Sequence, residues 1–255
     1  GAQDDTEAPD ALEETARQLR EANERLRAID TQKDEFLSQV SHELRTPMTS
    51  IRSFSEILLD PDAIPPEQRN RFTSIIHNES LRLTRLLDEL LDMSRLEAGT
   101  LDVTMQPIDV NEAISAAVES VGAMIRKRGV AVFSDPPPPG SCARANPDRL
   151  RQVLINLLSN AVKYNIAESP RILIRAFAES GMMTIDIIDN GGGVTRQEAS
   201  MVFEKFARGS RSNHEQGAGL GLPISRAIMR AMDGDLTVEF DRDGRHALVS
   251  VWEDD

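Results

Sequence analysis

Residues 36–47 read Phe36-Leu37-Ser38-Gln39-Val40-Ser41-His42-Glu43-Leu44-Arg45-Thr46-Pro47, and the helical period running through them decides the fold of the first third of the chain. Upstream, Leu12, Leu19, Leu26, Lys33 and Val40 recur every seven residues, with Thr15, Ala22, Ile29 and Phe36 three residues after the first four. That is the a/d seam of a coiled coil. Downstream the frame changes: Leu37, Leu44, Ile51 and Leu58 form a new a-row, with Val40, Pro47 and Phe54 as its d-row. Moving from Phe36 to Val40 as successive d residues inserts four residues, a stutter that locally unwinds a supercoil. The spacing predicts a frayed or disordered tail over 1–11, a coiled coil over 12–35, and a helix that continues to Asp60-Pro61. A second amphipathic helix is predicted over 67–97, with Phe72, Ile76, Leu83, Leu86, Leu87, Leu90 and Met93 on its apolar face and Gly99 as its stop. Residues 36–99 therefore read as an antiparallel helical hairpin. Its unpaired apolar stripe is buried economically by a second copy, giving a dimeric four-helix bundle.

Beyond Gly99 a linker is predicted over 100–108 and a mixed α/β domain over 109–255. Helices are expected over 110–128, 148–164 and 220–232, and strands over 129–133, 171–175, 183–188, 236–240 and 246–252. The run Pro136-Pro137-Pro138-Pro139-Gly140 forces an extended loop, and the stretch 203–219 reads as a mobile, glycine-rich segment. The fold class is thus α followed by α/β.

The 255 residues carry 29 Lys+Arg against 42 Asp+Glu, a net charge of −13, which disfavours nucleic acid or an anionic membrane surface as the main partner. A single cysteine, Cys142, excludes an internal disulfide framework and a Cys-clustered zinc site. No apolar run approaches the roughly 20 residues that span a bilayer. The sequence reads as a cytoplasmic segment whose parent protein is open to membrane anchorage.

Four constellations carry chemistry. His42 lies on the outer face in either heptad frame, where an unprotonated ring nitrogen can act as a nucleophile. Glu43 is adjacent and able to hold one ring nitrogen, and Thr46 is one helical turn along the same face. Asn156, Asn160 and Lys163 stand at i, i+4 and i+7, a polar stripe on an apolar helix. Their amide oxygens suit Mg²⁺ and the ammonium suits phosphate, although such a stripe can also simply face water. Asp189-Asn190-Gly191-Gly192-Gly193 follows an apolar strand, so a carboxylate able to accept from an exocyclic amine stands beside glycines that admit a flat ring. Gly217-Ala218-Gly219-Leu220-Gly221 opens a helix, a phosphate cradle in principle, yet without the Lys-Ser/Thr of a Walker loop. Between the last two, Phe203 and Phe206 either seat a lid or belong to the core, and Arg208 is placed to reach a terminal phosphate.

Together these motifs resemble the sensor histidine kinases of two-component signalling. His42–Pro47 is similar to the H box, Asn156–Tyr164 to the N box, Asp189–Gly193 to G1, Phe203–Phe206 to the F box and Gly217–Gly221 to G2, all in the family's order. The resemblance implies a dimerisation and phosphotransfer bundle followed by a Bergerat-type α/β sandwich like those of Hsp90 and MutL. It implies that His42 is the phosphoacceptor, Glu43 its polarising partner and Thr46 a residue that orients water for regulator dephosphorylation. It further implies ATP with Mg²⁺ held by Asn156 and Asn160, phosphates met by Lys163 and Arg208, and the base flanked by Tyr164 and bound by Asp189. Gly191, Gly193, Gly217, Gly219, Leu220 and Gly221 would shape the pocket. The implied partners are a second copy and the receiver domain of a response regulator. Asn165 stands where Thr or Ser is common, and Gly192 adds a third glycine to the G1 turn. Two other function classes share parts of this pattern: a non-catalytic nucleotide-binding scaffold, and a conformational ATPase of the Hsp90/MutL kind.

Overall fold

In a computed structural model the described residues are 7–60, 64–179, 181–192, 195, 199, 201–205, 219–239 and 246–253, with 7–16, 25, 28, 29, 32, 239 and 246–253 described as backbone only. The chain divides into two compact units, Gly1–Leu83 and Thr84–Asp255.

Helix α1 spans Glu7–Leu58 without interruption, and helix α2 spans Pro66–Glu97. The predicted frayed tail over 1–11 is thus corrected for residues 7–11. In the first unit the hairpin is antiparallel, since Phe54 pairs with Phe72 (ring centroids 5.1 Å apart) while Glu43 pairs with Arg82. Past the stutter the new frame faces inward: Pro47 is buried, and Val40, Leu44, Ile51, Phe54 and Leu58 are half-buried. Before it, Leu19 and Leu26 stay 69% and 66% exposed in the single chain, a stripe that intrachain packing does not cover. On α2, Leu86 and Met93 are buried, whereas Leu87, predicted on the apolar face, is exposed.

The second unit is a sheet with helices packed on one side. Its elements are β1 (Gln106–Asp109), α3 (Val110–Arg128), β2 (Ala131–Asp135), β3 (Cys142–Ala145), α4 (Pro147–Lys163), β4 (Arg171–Glu179), β5 (Met182–Asp189), α5 (Gly221–Ala231), β6 (Asp235–Glu239) and β7 (His246–Glu253). Strand order is β1-β3-β7-β5-β4-β2, with β6 also pairing β7. Among the described residues β2–β4 is parallel and the other pairings are antiparallel. Strand alternation sorts the faces: Ile172, Ile174 and Ala176 of β4 and Met183, Ile185 and Ile187 of β5 are buried beneath Leu150, Val153, Leu154, Leu157 and Leu158 of α4. Each such fully buried leucine is worth about 2 kcal/mol.

Local signals set the helix ends. Asp109 caps α3 by accepting from the N–H groups of Asn111 (2.8 Å) and Glu112 (3.1 Å), and Gly129 closes it in the left-handed region at φ +63°. Asn146 caps α4, accepting from Arg149 N–H at 3.1 Å, with Pro147 at the first helical position.

The predicted linker over 100–108 includes part of β1, an edge strand paired with β3, where Pro107 is tolerated. Ahead of it Leu101 is buried, and Asp102 accepts from both the N–H (3.0 Å) and the hydroxyl (2.7 Å) of Thr104. The Thr104 hydroxyl holds the Asp102 carboxyl below its ordinary pKa. Within the second unit, the last turns of α2 bond to α4, Asp92 accepting from Arg149 Nη1 at 3.0 Å.

Candidate active site

In the first unit His42 is exposed on α1. The Thr46 hydroxyl donates to the His42 carbonyl at 3.2 Å, so its proton is engaged and its lone pairs remain as acceptors. Glu43 is half-buried. The structure places its carboxylate on the Arg82 guanidinium of α2, with Nη2 donating to Oε2 at 3.2 Å, and Arg82 Nη1 lies 3.6 Å from Glu79. The Arg82 guanidinium thus fixes the Glu43 carboxylate on the α2 side of α1, one residue along from His42.

In the second unit the polar stripe of α4 meets the start of α5. The Asn156 side-chain amide donates to the buried Ser225 hydroxyl at 2.8 Å. Its oxygen faces Gly221, where an added Cβ would fall 2.4 Å from it, so only glycine lets the two helices approach this closely. Asn160 is half-buried, and Lys163 follows it in the last turn. Glu89 of α2 lies within electrostatic reach of Lys163: burial pushes the Glu89 carboxyl above its ordinary value, while the Lys163 and Arg85 cations pull it back. Tyr164 is partly exposed at the end of α4, its N–H bonded to the Asn160 carbonyl. At the end of β5 the Asp189 carboxylate accepts from Gly191 N–H at 2.7 Å. Gly219 lies in the left-handed region (φ +70°), Leu220 is fully buried, and α5 starts at Gly221 without a side-chain cap. Gly193, Arg208 and Gly217 lie outside the described residues, as does Phe206. Phe203 is half-buried under the Arg226 guanidinium, 4.5 Å from its ring centroid.

These residues fit a nucleotide. A carboxylate stands beside a flush glycine, and α5 opens with uncapped N–H groups at Gly221. Among the described residues no cluster of three or more His, Cys, Asp or Glu could hold a metal. A divalent ion here would depend on amide oxygens, waters and phosphate oxygens, the donor set Mg²⁺ accepts.

Residues 32–99 match the His Kinase A (phospho-acceptor) domain family, and residues 145–252 match the family of histidine kinase-, DNA gyrase B- and HSP90-like ATPases. The chain belongs to the sensor histidine kinases. The sensor histidine kinase GlrK of Escherichia coli (strain K12) is 33% identical over 232 residues, which cover 89% of this chain and 48% of GlrK. Full-length ShkA in complex with AMPPNP shares the fold with a TM-score of 0.64 at 26% identity, covering 86% of this chain and 46% of ShkA. ThkA, solved in complex with response regulator protein TrrA, gives a TM-score of 0.69 at 22% identity, covering 86% of this chain and 61% of ThkA. The chain spans about half or less of the length of the curated relatives it matches first.

Several residues of this histidine kinase that position the sites were not singled out by their sequence neighbourhood. Arg82 reaches Glu43 only through the antiparallel register of α1 and α2. Ser225 signals itself weakly, as a hydroxyl within an otherwise apolar helix that needs a partner. Asp92 on α2 is bonded to Arg149 Nη1 (3.0 Å) and Gln152 Nε2 (2.7 Å), and the last two bond each other at 2.9 Å. Lys205, beside the F box, ion-pairs with Glu97. Arg226 and Arg230 both donate to Asp235, and although burial opposes it, these bonds and the Leu236 N–H hold that carboxyl below its ordinary value.

Proposed function

We propose that this chain is the catalytic core of a two-component histidine kinase that transfers the γ-phosphoryl group of ATP to His42 and then to an aspartate of a response regulator receiver domain. The observation carrying this reading is an exposed His42, with a braced carboxylate at Glu43 and a hydroxyl one turn away, in a chain whose second unit has a nucleotide-shaped site. The functional segments are a coiled coil over 12–35, a dimerisation and phosphotransfer hairpin over 36–99, and an ATP-binding domain that takes in β1. The working unit is a homodimer, in which a second copy covers the stripe at Leu19 and Leu26. The sensor domain lies elsewhere in the parent protein, and this core works in the cytoplasm. No described helix is long and apolar enough to cross a membrane.

Asn156 and Asn160 would hold Mg²⁺, which neutralises charge on the phosphates. Lys163 and Arg208 contact those phosphates, Tyr164 flanks the base and Asp189 accepts from its exocyclic amine. Gly191 and Gly193 admit the ring, while Gly217, Gly219, Leu220 and Gly221 form the wall around the phosphates. A ring nitrogen of His42 attacks the γ-phosphorus in line; the N–P bond forms as the bond to the β,γ-bridging oxygen breaks, ADP leaves, and the ring gives up its proton. Glu43 favours that proton's departure and the cationic ring. The phosphoramidate then passes its phosphoryl group to a regulator carboxylate. Thr46, its proton already engaged, accepts from a water and orients it for hydrolysis of the regulator's aspartyl phosphate, in which the water oxygen bonds to phosphorus, the P–O bond to the carboxylate breaks and inorganic phosphate leaves.

Incubation with γ-labelled ATP gives acid-labile label on the chain, and His42→Ala loses all of it while binding ATP as before. Label retained on His42→Ala, or steady phosphate release with no protein-bound label from the unaltered chain, overturns this reading, the second outcome in favour of a conformational ATPase.

A further inference from the structure

Asn165 directly follows the N-box tyrosine and is buried, 8% exposed, at a position where a lone polar side chain must be satisfied. It is satisfied on three sides. Its Nδ2 donates to the Arg171 carbonyl (3.2 Å) and to the Asn190 side-chain oxygen (3.1 Å), and its Oδ1 accepts from Ala167 N–H (3.2 Å). Asn190 extends the knot: its Oδ1 also accepts from Arg171 N–H (2.7 Å), its Nδ2 donates to the Ser169 carbonyl (2.9 Å), and its own N–H donates to the Arg171 carbonyl (3.2 Å). The loop after α4 is thereby bonded to the turn after β5. The next residue along that turn, Gly191, lies flush on the same loop, since an added Cβ would come within 3.0 Å of Asn165 Cα and 3.2 Å of the Tyr164 carbonyl. Gly191 N–H in turn fixes the Asp189 carboxylate.

We infer that Asn165 is a positioning residue for adenine selectivity: its amide holds Asn190 and the Gly191 turn so that Asp189 meets the exocyclic amine of the base. The inference rests on the assignment of Asp189 to adenine. The chain of contacts runs Asn165 to Asn190 to Gly191 to Asp189, whereas Asn156 of the stripe proposed for metal and phosphate is bonded to Ser225 of α5. Loss of the clamp therefore weakens recognition of the amine and leaves phosphate binding in place.

The test compares binding of ATP and inosine triphosphate, which carries an oxo group where adenine has its amine, by the full chain and by two near-isosteric variants. Asn165→Thr keeps one hydroxyl donor, whereas Asn165→Val has none. The unaltered chain is expected to prefer ATP by about tenfold or more, the weight of a charge-assisted hydrogen bond in a partly dry site. Asn165→Thr keeps that preference within about threefold, while Asn165→Val loses it through weaker ATP binding at nearly unchanged inosine triphosphate binding. Equal preference in the Thr and Val variants, or a Val variant that weakens both nucleotides by one factor, overturns the inference. An unaltered chain that binds the two nucleotides alike overturns instead the assignment of Asp189 on which it rests.

Discussion

The phosphoacceptor segment and the nucleotide site are built in opposite ways. His42, Glu43 and Thr46 stand on one helix, and the helical repeat alone sets their spacing; Arg82 of α2 braces Glu43. Asn156, Tyr164, Asp189 and Gly221 come from α4, the end of β5 and the start of α5, and meet only through buried bonds such as Asn156 to Ser225 and through glycines with no room for a Cβ. A site carried on one helix survives the loss of a neighbour. A site made of junctions loses its shape when one junction opens.

The sharpest way to break this contrast is Gly191→Ala. The new methyl meets Asp189 Oδ1 at 2.7 Å and, at 3.0 and 3.2 Å, backbone atoms that cannot swing aside. A loss of about 2 kcal/mol in stability is expected from overpacking, with ATP affinity down at least about tenfold, measured by denaturant unfolding and nucleotide titration. Normal affinity would show that the junction is softer than its contacts imply. Thr46→Ala tests the other side. The hydroxyl contributes one exposed helical hydrogen bond, so unfolding changes by no more than about 0.5 kcal/mol and autophosphorylation persists, while regulator dephosphorylation slows several-fold. An unchanged dephosphorylation rate removes Thr46 from the phosphatase step.

A third test, read in stability alone, concerns Asp235, which ties Arg226 and Arg230 of α5 to β6. Its folded carboxyl titrates below the unfolded value, so the bonds stabilise the fold above about pH 4 and that contribution fades as pH falls through the lowered pKa. For so exposed a pair, Asp235→Asn costs at most about 1 kcal/mol at neutral pH. The gap between the unfolding curves of variant and unaltered chain closes once pH falls below the lowered pKa; a gap that persists there means the aspartate acts by shape and not by charge.

What the sequence disclosed follows the same division. α3 was legible over 110–128, but Gly129, read as the start of the next strand, is its left-handed cap, and β2 begins only at Ala131. The H-box residues were legible because i, i+1 and i+4 spacing on a helix fixes a face. The strands β1 and β3 were not, being four residues each, with Pro107 interrupting one and no alternation long enough to reveal either. The N-box stripe announced itself by composition, but its partner Ser225 lies 69 residues away and the clamp between Asn165 and Asn190 spans 25. No local pattern encodes such pairings. They follow from which helix the sheet carries above which strand.

Asp92 grips α4 with two unlike hands, a guanidinium and a neutral amide. Dissolved electrolyte shields the first and scarcely touches the second. As ionic strength rises, this attachment should slacken by degrees instead of letting go, so the last turns of α2 keep their hold on α4 across a wide span of cellular salinity.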